Sequence, residues 1–462
     1  MLEPRKQEHI LRWWGELGPA EREQLLSDIE SIPWDILDGV IRSHVLKRPE
    51  RTVPADLTPP RIHPQPPDPS QKARYEEAVR TGRALLRAGK VAAFTVAGGQ
   101  GTRLGFDGPK GAVVVTPAGD KTLFELFAEA IKAARRRYGT PIPWYIMTSP
   151  ANHEQTIDFL KVCGFFGLPQ HDVVLFAQGM LPAFDFQGRL LMEAKHRLAL
   201  APDGHGGSLK ALVKSGALSD MKERGVEIIS YFQVDNPLVK PFDPLFIGLH
   251  AETGSEMSTK VTPKADDLER VGNLCICQGK TMVIEYSDFP DKFAHARNPD
   301  GSRRFDAGNL AIHALDVNFV DRVVGQSFQM PFQRAEKAVA YVDETGLLQT
   351  PATPNAVKLE TFIFDALLLA KNPLVLQVDR TEEFSPAKNA TGVDSLESSK
   401  RDQTTRACRW LEAAGVVIPR KDNGQPDVSI AISPSFALDA EDVRAKADRL
   451  PTLKSGDAVY VE

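Results

Sequence analysis

Val91-Ala-Ala-Phe-Thr-Val-Ala97 runs directly into Gly98-Gly-Gln-Gly-Thr-Arg-Leu-Gly105 and then Phe106-Asp-Gly-Pro-Lys110-Gly111. A short, nearly continuous apolar run is the pattern of a strand buried on both faces, as in a parallel sheet. Behind it comes a loop rich in glycine, where bare backbone approaches a ligand closely and points N–H groups at negative charge. Arg103 and Lys110 add two cations to the same loop. A flexible turn accounts for the glycines but not for the cations, so the stretch reads as a polyphosphate cradle. It is neither of two common phosphate loops. A dinucleotide fingerprint G-x-G-x-x-G needs glycine where Leu104 stands, and a G-x-x-x-x-G-K-[ST] loop fails because Lys110 lies between Pro109 and Gly111.

Outward from this stretch, similar apolar runs recur at Trp144–Thr148, Val173–Ala177, Ile228–Val234 and Met257–Thr262. Helical periodicity separates most of them, at Tyr75–Ala88, Leu123–Tyr138, Glu154–Cys163 and Leu209–Arg224. Strands alternating with helices predict an α/β domain with a mostly parallel sheet, whose ligands sit at the carboxyl ends of the strands. Before it, Glu8 to Leu46 has helical spacing, and residues 49–69 hold eight prolines in 21 positions. Such a segment forms neither a helix nor a central strand. After Ser395, a helix over Thr404–Ala414 and short strands at Val428–Ile432 and Ala458–Val461 are expected. The division predicted is a helical N-terminal unit (1–48), a proline-rich connector (49–70), a catalytic domain (71–394) and a small mixed C-terminal domain (395–462).

The composition excludes several classes. Of 462 residues, 42% are hydrophobic and 25% charged, which is ordinary for a globular chain and not for a disordered one. A net charge of −5 argues against a dedicated nucleic-acid binder. Four cysteines cannot form a secreted-type disulfide framework, and Cys275-Ile-Cys277 reads as two small side chains on one strand face, not a thiolate metal site. The first ten residues lack an apolar core and no run approaches the ~18 apolar residues of a membrane span, so a cytoplasmic chain is expected. Phe362–Val378 is the longest candidate, and Asp365, Lys371, Asn372 and Pro373 break it.

The string GGQGTRLGFDGPKG resembles the signature loop of the UDP-sugar pyrophosphorylases, most closely the eukaryotic-type UDP-N-acetylglucosamine pyrophosphorylases. The likeness continues in order through Gln178-Gly-Met-Leu-Pro-Ala183, Pro202-Asp-Gly-His-Gly-Gly207, Val234-Asp-Asn236 and Pro244-Leu-Phe-Ile-Gly248. It ends with Ile284-Glu-Tyr-Ser287, Gly308-Asn309, Lys358-Leu-Glu360 and Glu382-Glu-Phe-Ser-Pro-Ala-Lys-Asn389. The resemblance implies a glycosyltransferase-A-like, Rossmann-like core. The implied reaction moves a uridylyl group from UTP to a sugar 1-phosphate, giving a UDP-sugar and pyrophosphate, with Mg²⁺ or Mn²⁺ as cofactor. N-acetylglucosamine 1-phosphate is the favoured acceptor. The alternatives are a glucose-1-phosphate or broad UDP-sugar enzyme and a non-catalytic UDP-sugar-binding regulator. Monomer and dimer both stay open, and no nucleic-acid or membrane partner is expected.

Carried over position by position, the resemblance implies that Ala97, Gly98, Gly99, Gln100 and Gly101 hold the nucleotide. Arg103 and Lys110 bind the triphosphate, Lys358 and Lys388 clamp the phosphates, and Gln178 and Gly204 read the uracil edge. Asp235 holds the metal. Gly272, Glu285, Tyr286, Asn309 and Lys388 contact the sugar, joined by His205. That histidine is a departure: the family's acetylglucosamine turn reads PDGNGG, and its glucose-specific relatives carry GHG. Without the resemblance, Asp235 equally reads as an Asx turn, Gln178 as a loop cap, Glu285 as an outward strand residue and Lys388 as a solvated surface lysine.

Overall fold

Val91–Val96 is a strand, as its apolar run predicts, and it lies inside a ten-stranded sheet. The computed structural model describes residues 2–49, 54, 56–325 and 330–462. Numbered in chain order, the strands of this sheet are β1 Ile62–Pro64, β2 Val91–Val96, β3 Trp144–Thr148, β4 Val173–Ala177, β5 Ile228–Gln233, β6 Met257–Thr262, β7 Asn273–Cys277, β8 Lys280–Ile284, β9 Gly308–Asp316 and β10 Leu374–Gln377. Their spatial order is β1-β10-β6-β9-β5-β2-β3-β4, with β7 and β8 a hairpin joined to β9. The β1–β10, β10–β6, β5–β2, β2–β3 and β3–β4 pairs are parallel. Along this order only β9 runs against its neighbours, antiparallel to both β5 and β6. The fold is mixed α/β with a mostly parallel central sheet, as expected, but the long central β9 was not foreseen.

That reversal matters for position. The carboxyl ends of β2, β3, β5, β6 and β10 point one way, and the antiparallel β9 brings its first residues, Gly308 and Asn309, to the same edge beside Thr262 and Val261. The register of β6 against β9 shifts between Thr259 and Val261, and Ala311 takes φ +54° there. Such a bulge re-aims a side chain at a sheet edge.

The chain divides into two compact units, neither continuous in sequence. Residues 54–177, 211–326 and 367–462 form the larger, which carries the ten-stranded sheet; residues 1–53, 178–210 and 327–366 form the smaller. This differs from the consecutive division read along the chain. The N-terminal helices Pro19–Ser31 and Trp34–Val40 have no core of their own: Leu25, Ile29, Trp34 and Leu37 pack with Leu181, Phe184, Leu190, Leu198, Val357 and Leu359. Gln7 fastens the same contact, donating to the Gly188 carbonyl and accepting from Leu190 N–H, both at 2.9 Å. The C-terminal segment does have a core, around Trp410, Leu411, Ile430 and Val443, yet it belongs to the larger unit.

Three local readings change. Leu209–Arg224 is two helices, Ser208–Lys214 and Ala217–Glu223, because Gly216 at φ +81° interrupts it. The C-terminal helix begins at Leu396, since Ser395 Oγ caps it by accepting Ser398 N–H at 3.0 Å. The proline-rich connector supplies β1 at the sheet edge, where proline is tolerated; its residues 50–53 and 55 lie outside the described residues. Cys275 and Cys277 are buried free thiols on β7. No helix among the described residues is long and apolar enough to cross a membrane.

Pro244-Leu-Phe-Ile-Gly248 turns out to be a packing element. Helices Lys72–Arg87 and Pro244–Glu252 touch backbone to backbone: a Cβ on Gly82 would stand 1.9 Å from the Pro244 carbonyl oxygen, and one on Gly248 1.7 Å from that of Ala78. Gly248→Ala therefore destabilises the protein by about 1–3 kcal/mol, the usual cost of overpacking. A lower urea midpoint at unchanged m value is the expected reading; an unmoved midpoint would contradict it.

Candidate functional site

The loop after β2 is held by its neighbour strand. Ser149 and Asn152, both buried just beyond β3, take up its carbonyls: Asn152 Nδ2 donates to those of Ala97 (3.0 Å) and Gly99 (3.1 Å), and Ser149 Oγ to that of Gly98 (2.9 Å). Asn152 Oδ1 in turn accepts from Ser149 N–H at 2.8 Å. Of the loop's own donors, Ala97 N–H goes to Met147 and Gly101 N–H to Gly108. The N–H groups of Gly98, Gly99 and Gln100 make no hydrogen bond among the described residues. The loop thus spends its acceptors internally and keeps three neighbouring donors for something else.

Its glycines do different jobs. A Cβ on Gly101 would stand 2.9 Å from the Phe106 ring and one on Gly111 2.1 Å from that of Phe124, so both are needed for packing. Gly99 is exposed, with the Lys110 Cε at 3.7 Å from where its Cβ would be. Lys110 therefore lies across the loop, near the unspent donors. Burial first, and then Arg103 and Lys388, hold its pKa below the ordinary lysine value, while Asp235 works the other way. Lys110 makes no ion pair among the described residues.

Asp235 stands just past the end of β5 and is 8% exposed. Its carboxylate makes no hydrogen bond or ion pair among the described residues; its carbonyl accepts from Ala387 N–H at 2.8 Å. The Asx turn expected here is made by the next residue, since Asn236 Oδ1 accepts from Leu238 N–H at 3.2 Å. No group of three or more His, Cys, Asp or Glu side chains suited to a metal occurs among the described residues. Lys388 follows Ala387 directly, with its ammonium 3.9 Å from Asp394. The larger unit thus brings Gly98–Gln100, Arg103, Lys110 and Asp235 to the carboxyl ends of the neighbouring strands β2 and β5, and the Ala387–Asp235 bond sets the Lys388 segment beside them.

A second group gathers around the start of β9. Gly272 accepts from Asn309 N–H at 2.9 Å, and a Cβ there would meet Val283 at 2.6 Å and the Glu285 carboxylate at 3.4 Å. Asn309 Oδ1 is taken up by Thr259 Oγ1 and Ala311 N–H, both at 3.2 Å, leaving its amide NH₂. Tyr286 follows Glu285 and is 45% exposed.

On the smaller unit, residues 203–207 fold onto residues 361–364. Gly204 has φ +83°, and a Cβ on it would stand 2.4 Å from the Thr361 carbonyl oxygen. The His205 ring stacks on Phe362 (centroids 5.1 Å apart, 13° between planes), and its Nδ1 accepts Ile363 N–H at 3.1 Å. That bond leaves the ring hydrogen on Nε2, which has no partner among the described residues, so His205 offers a donor only. Gln178 is buried beyond β4, and Lys358 lies on strand Ala356–Glu360 opposite Ala335.

Ser149 and Asn152 were missed by sequence reading. The available signal was Ser149-Pro-Ala-Asn152 directly after an apolar strand, where a parallel sheet places ligand-side residues.

Burial lowers the His205 pKa to about 4. The unfolded chain, with an ordinary histidine near 6.5, then binds more protons between those values, so stability falls as pH drops through that window. Urea midpoints measured from pH 7 to 4 are expected to fall less steeply for His205→Asn than for wild type; parallel curves would contradict a ring held neutral in the folded protein.

Known proteins resemble this chain over nearly its whole length. The family model UDPGP, described as UTP–glucose-1-phosphate uridylyltransferase, matches residues 56–460. The chain is 37% identical over 470 residues to the human UDP-N-acetylhexosamine pyrophosphorylase-like protein 1, covering 94% of the chain and 91% of that protein. It is 34% identical over 447 residues to the UDP-N-acetylglucosamine pyrophosphorylase of Saccharomyces cerevisiae, covering 92% of the chain and 93% of the relative. Among solved structures, the Trypanosoma brucei uridine diphosphate N-acetylglucosamine pyrophosphorylase aligns over 100% of this chain and 96% of that one, at TM-score 0.81 and 25% identity.

Proposed function

The chain belongs to the UTP–glucose-1-phosphate uridylyltransferase family, and from that premise we propose that it makes UDP-N-acetylglucosamine and pyrophosphate from UTP and N-acetylglucosamine 1-phosphate. The observation that carries the reading is the set of unspent Gly98, Gly99 and Gln100 donors beneath Lys110, beside the Asp235 carboxylate, which makes no hydrogen bond or ion pair among the described residues. The chemistry asks for little more. A sugar phosphate is ionised at neutral pH and needs no general base to attack the α-phosphorus of UTP. The bond from that phosphorus to the bridging oxygen breaks, and pyrophosphate leaves with the electron pair. Catalysis then consists of alignment and of neutralising charge on the transferring and leaving groups.

In this reading Gly98–Gln100 hold phosphate oxygens, Lys110 and Arg103 meet the charge that builds on the departing pyrophosphate, and Lys388 aligns the acceptor phosphate. A lone carboxylate at Asp235 suits Mg²⁺ or Mn²⁺ held chiefly by phosphate oxygens and water, and does not suit a protein cage. Such a cation supplies Lewis-acid stabilisation of the phosphoryl oxygens. Gln178 and Gly204 read the uracil, and Lys358 adds a further phosphate contact. Gly272, Glu285, Tyr286 and Asn309 hold sugar hydroxyls. His205, being a donor only, meets an acceptor oxygen of the sugar. A glycosyltransferase-A-like arrangement of the sheet, and work in the cytoplasm, belong to the same proposal.

Pyrophosphate release from UTP, measured with a panel of sugar 1-phosphates, tests the reaction. Release is expected to be fastest with N-acetylglucosamine 1-phosphate. Faster release with glucose 1-phosphate would overturn the sugar assignment, and UDP-sugar binding without any release would favour a silent regulator. In the same assay Lys110→Ala lowers kcat/KM by about 10²–10³-fold, the scale of losing one charge-stabilising group, with an unchanged circular dichroism spectrum. Wild-type turnover in that variant would remove Lys110 from the phosphate site.

A further inference from the structure

Asp235 and Lys388 lie on separate segments, and phosphate chemistry needs them in a fixed relation. Residues 382–388 form a strap along Asp235–Leu238. Besides the Ala387–Asp235 bond, Asn236 Nδ2 donates to the Glu383 carbonyl at 2.7 Å, and Asn236 Oδ1 accepts from Ser385 N–H at 3.2 Å. Helix Leu396–Ala413 grips the strap with one face. Ser399 Oγ donates to the Ser385 carbonyl (2.9 Å), Ser385 Oγ to Asp402 (2.7 Å), and Arg406 to the carbonyls of Leu238 (3.3 Å) and Glu382 (3.1 Å).

From the sheet side comes Lys260 on β6, whose side chain is 0% exposed. Its ammonium lies 2.6 Å from Glu383 Oε2 and 2.7 Å from Asp243 Oδ2, with the Phe246 ring centroid at 5.2 Å. Asp243 is itself fixed, since it caps helix Pro244–Glu252 by accepting Leu245 N–H at 3.0 Å. A buried charge cluster of this kind is a poor source of stability, because apolar residues of the same volume do as well or better. What it provides is direction: two short charge-assisted bonds that fix the strap at the root of Lys388.

We propose that Lys260 is a positioning residue for uridylyl transfer, setting Lys388 against Asp235 through Glu383 without touching substrate. The proposal rests on the phosphate role given above to Lys388. It separates the strap's packing from its function: the hydrogen bonds of Asn236 and Ser399 hold the strap to its neighbours, and Lys260 fixes where along them it sits.

The test uses the full-length protein in the pyrophosphate-release assay. Wild-type turnover with N-acetylglucosamine 1-phosphate establishes the underlying reading, and its absence would sink that reading independently of Lys260. Lys260→Met is expected to lower kcat by about 10²-fold, the scale of an ångström-level misplacement, with KM values moved little. Because Lys260→Met alone strands two buried carboxylates, the double variant Lys260→Met with Glu383→Gln removes one charge of each sign and keeps the test independent of folding. It is expected to melt as one cooperative unit and still show the kcat loss. In a Lys388→Ala background the same change is expected to cost less than about twofold more, since contacts acting through one group are not additive. A folded double variant with wild-type kcat, or a full 10²-fold cost persisting without Lys388, would overturn the proposal.

Discussion

Three cations, Arg103, Lys110 and Lys388, share one end of the sheet of the larger unit, and their mutual repulsion is the constraint to which the rest of the site answers. Lys110 carries the record of it: burial and its two basic neighbours press its pKa down, and Asp235 alone pulls it back. A protein free to optimise its own stability would put carboxylates there. Instead Asp394 comes only to 3.9 Å of Lys388, while Glu383 is held by Lys260 and Glu382 by Arg409 and Trp410. The loop carbonyls, which would also have satisfied the cations, are taken up by Ser149 and Asn152. A site whose three cations outnumber the carboxylates beside them, Asp235 and Asp394, suits an anion that arrives from outside, and a triphosphate fits.

The sheet topology makes that concentration possible. Parallel strands β2, β3 and β5 deliver their next residues to one edge and contribute donors, the residues that brace them and a carboxylate, and the chain beyond β10 returns to Asp235 with a lysine. The antiparallel β9 adds Gly308 and Asn309 to that edge by starting where its neighbours end. Backbone-to-backbone contact between the helices carrying Gly82 and Gly248 fixes Asp243, and through it the Lys260 cluster.

Much of this was legible in the residue order, and the limits are physical. The Gly98–Lys110 loop and its preceding strand declare themselves because a buried strand and a cation-bearing glycine loop have local signatures. Asp235 was singled out only through the resemblance of Val234-Asp-Asn236, because its place after an apolar run reads equally as an Asx turn. Lys260 was not, since a lysine in Met257–Thr262 gives no sign that it will be buried; that depends on Asp243 and Glu383, which lie far off in the chain. The partnership of the N-terminal helices with Leu181–Leu198 was hidden for the same reason. His205 shows a subtler limit. Its identity as a departure from the family turn was visible, but its restriction to hydrogen-bond donation came only with the Ile363 N–H at its Nδ1. Gly101 was read as ligand-side, and only the structure shows that it also packs against Phe106; the close approach of Gly248 to Ala78 had no local sign at all.

The central claim is that transfer proceeds by alignment and charge neutralisation in a single displacement, with no protein nucleophile. The stereochemical course at the α-phosphorus tests it directly. With UTP made chiral by one sulfur at a non-bridging α-oxygen, a single in-line attack by the sugar phosphate predicts inversion of configuration in the UDP-sugar. Retention would mean that the uridylyl group passes through a covalent bond to the protein, and would contradict the account.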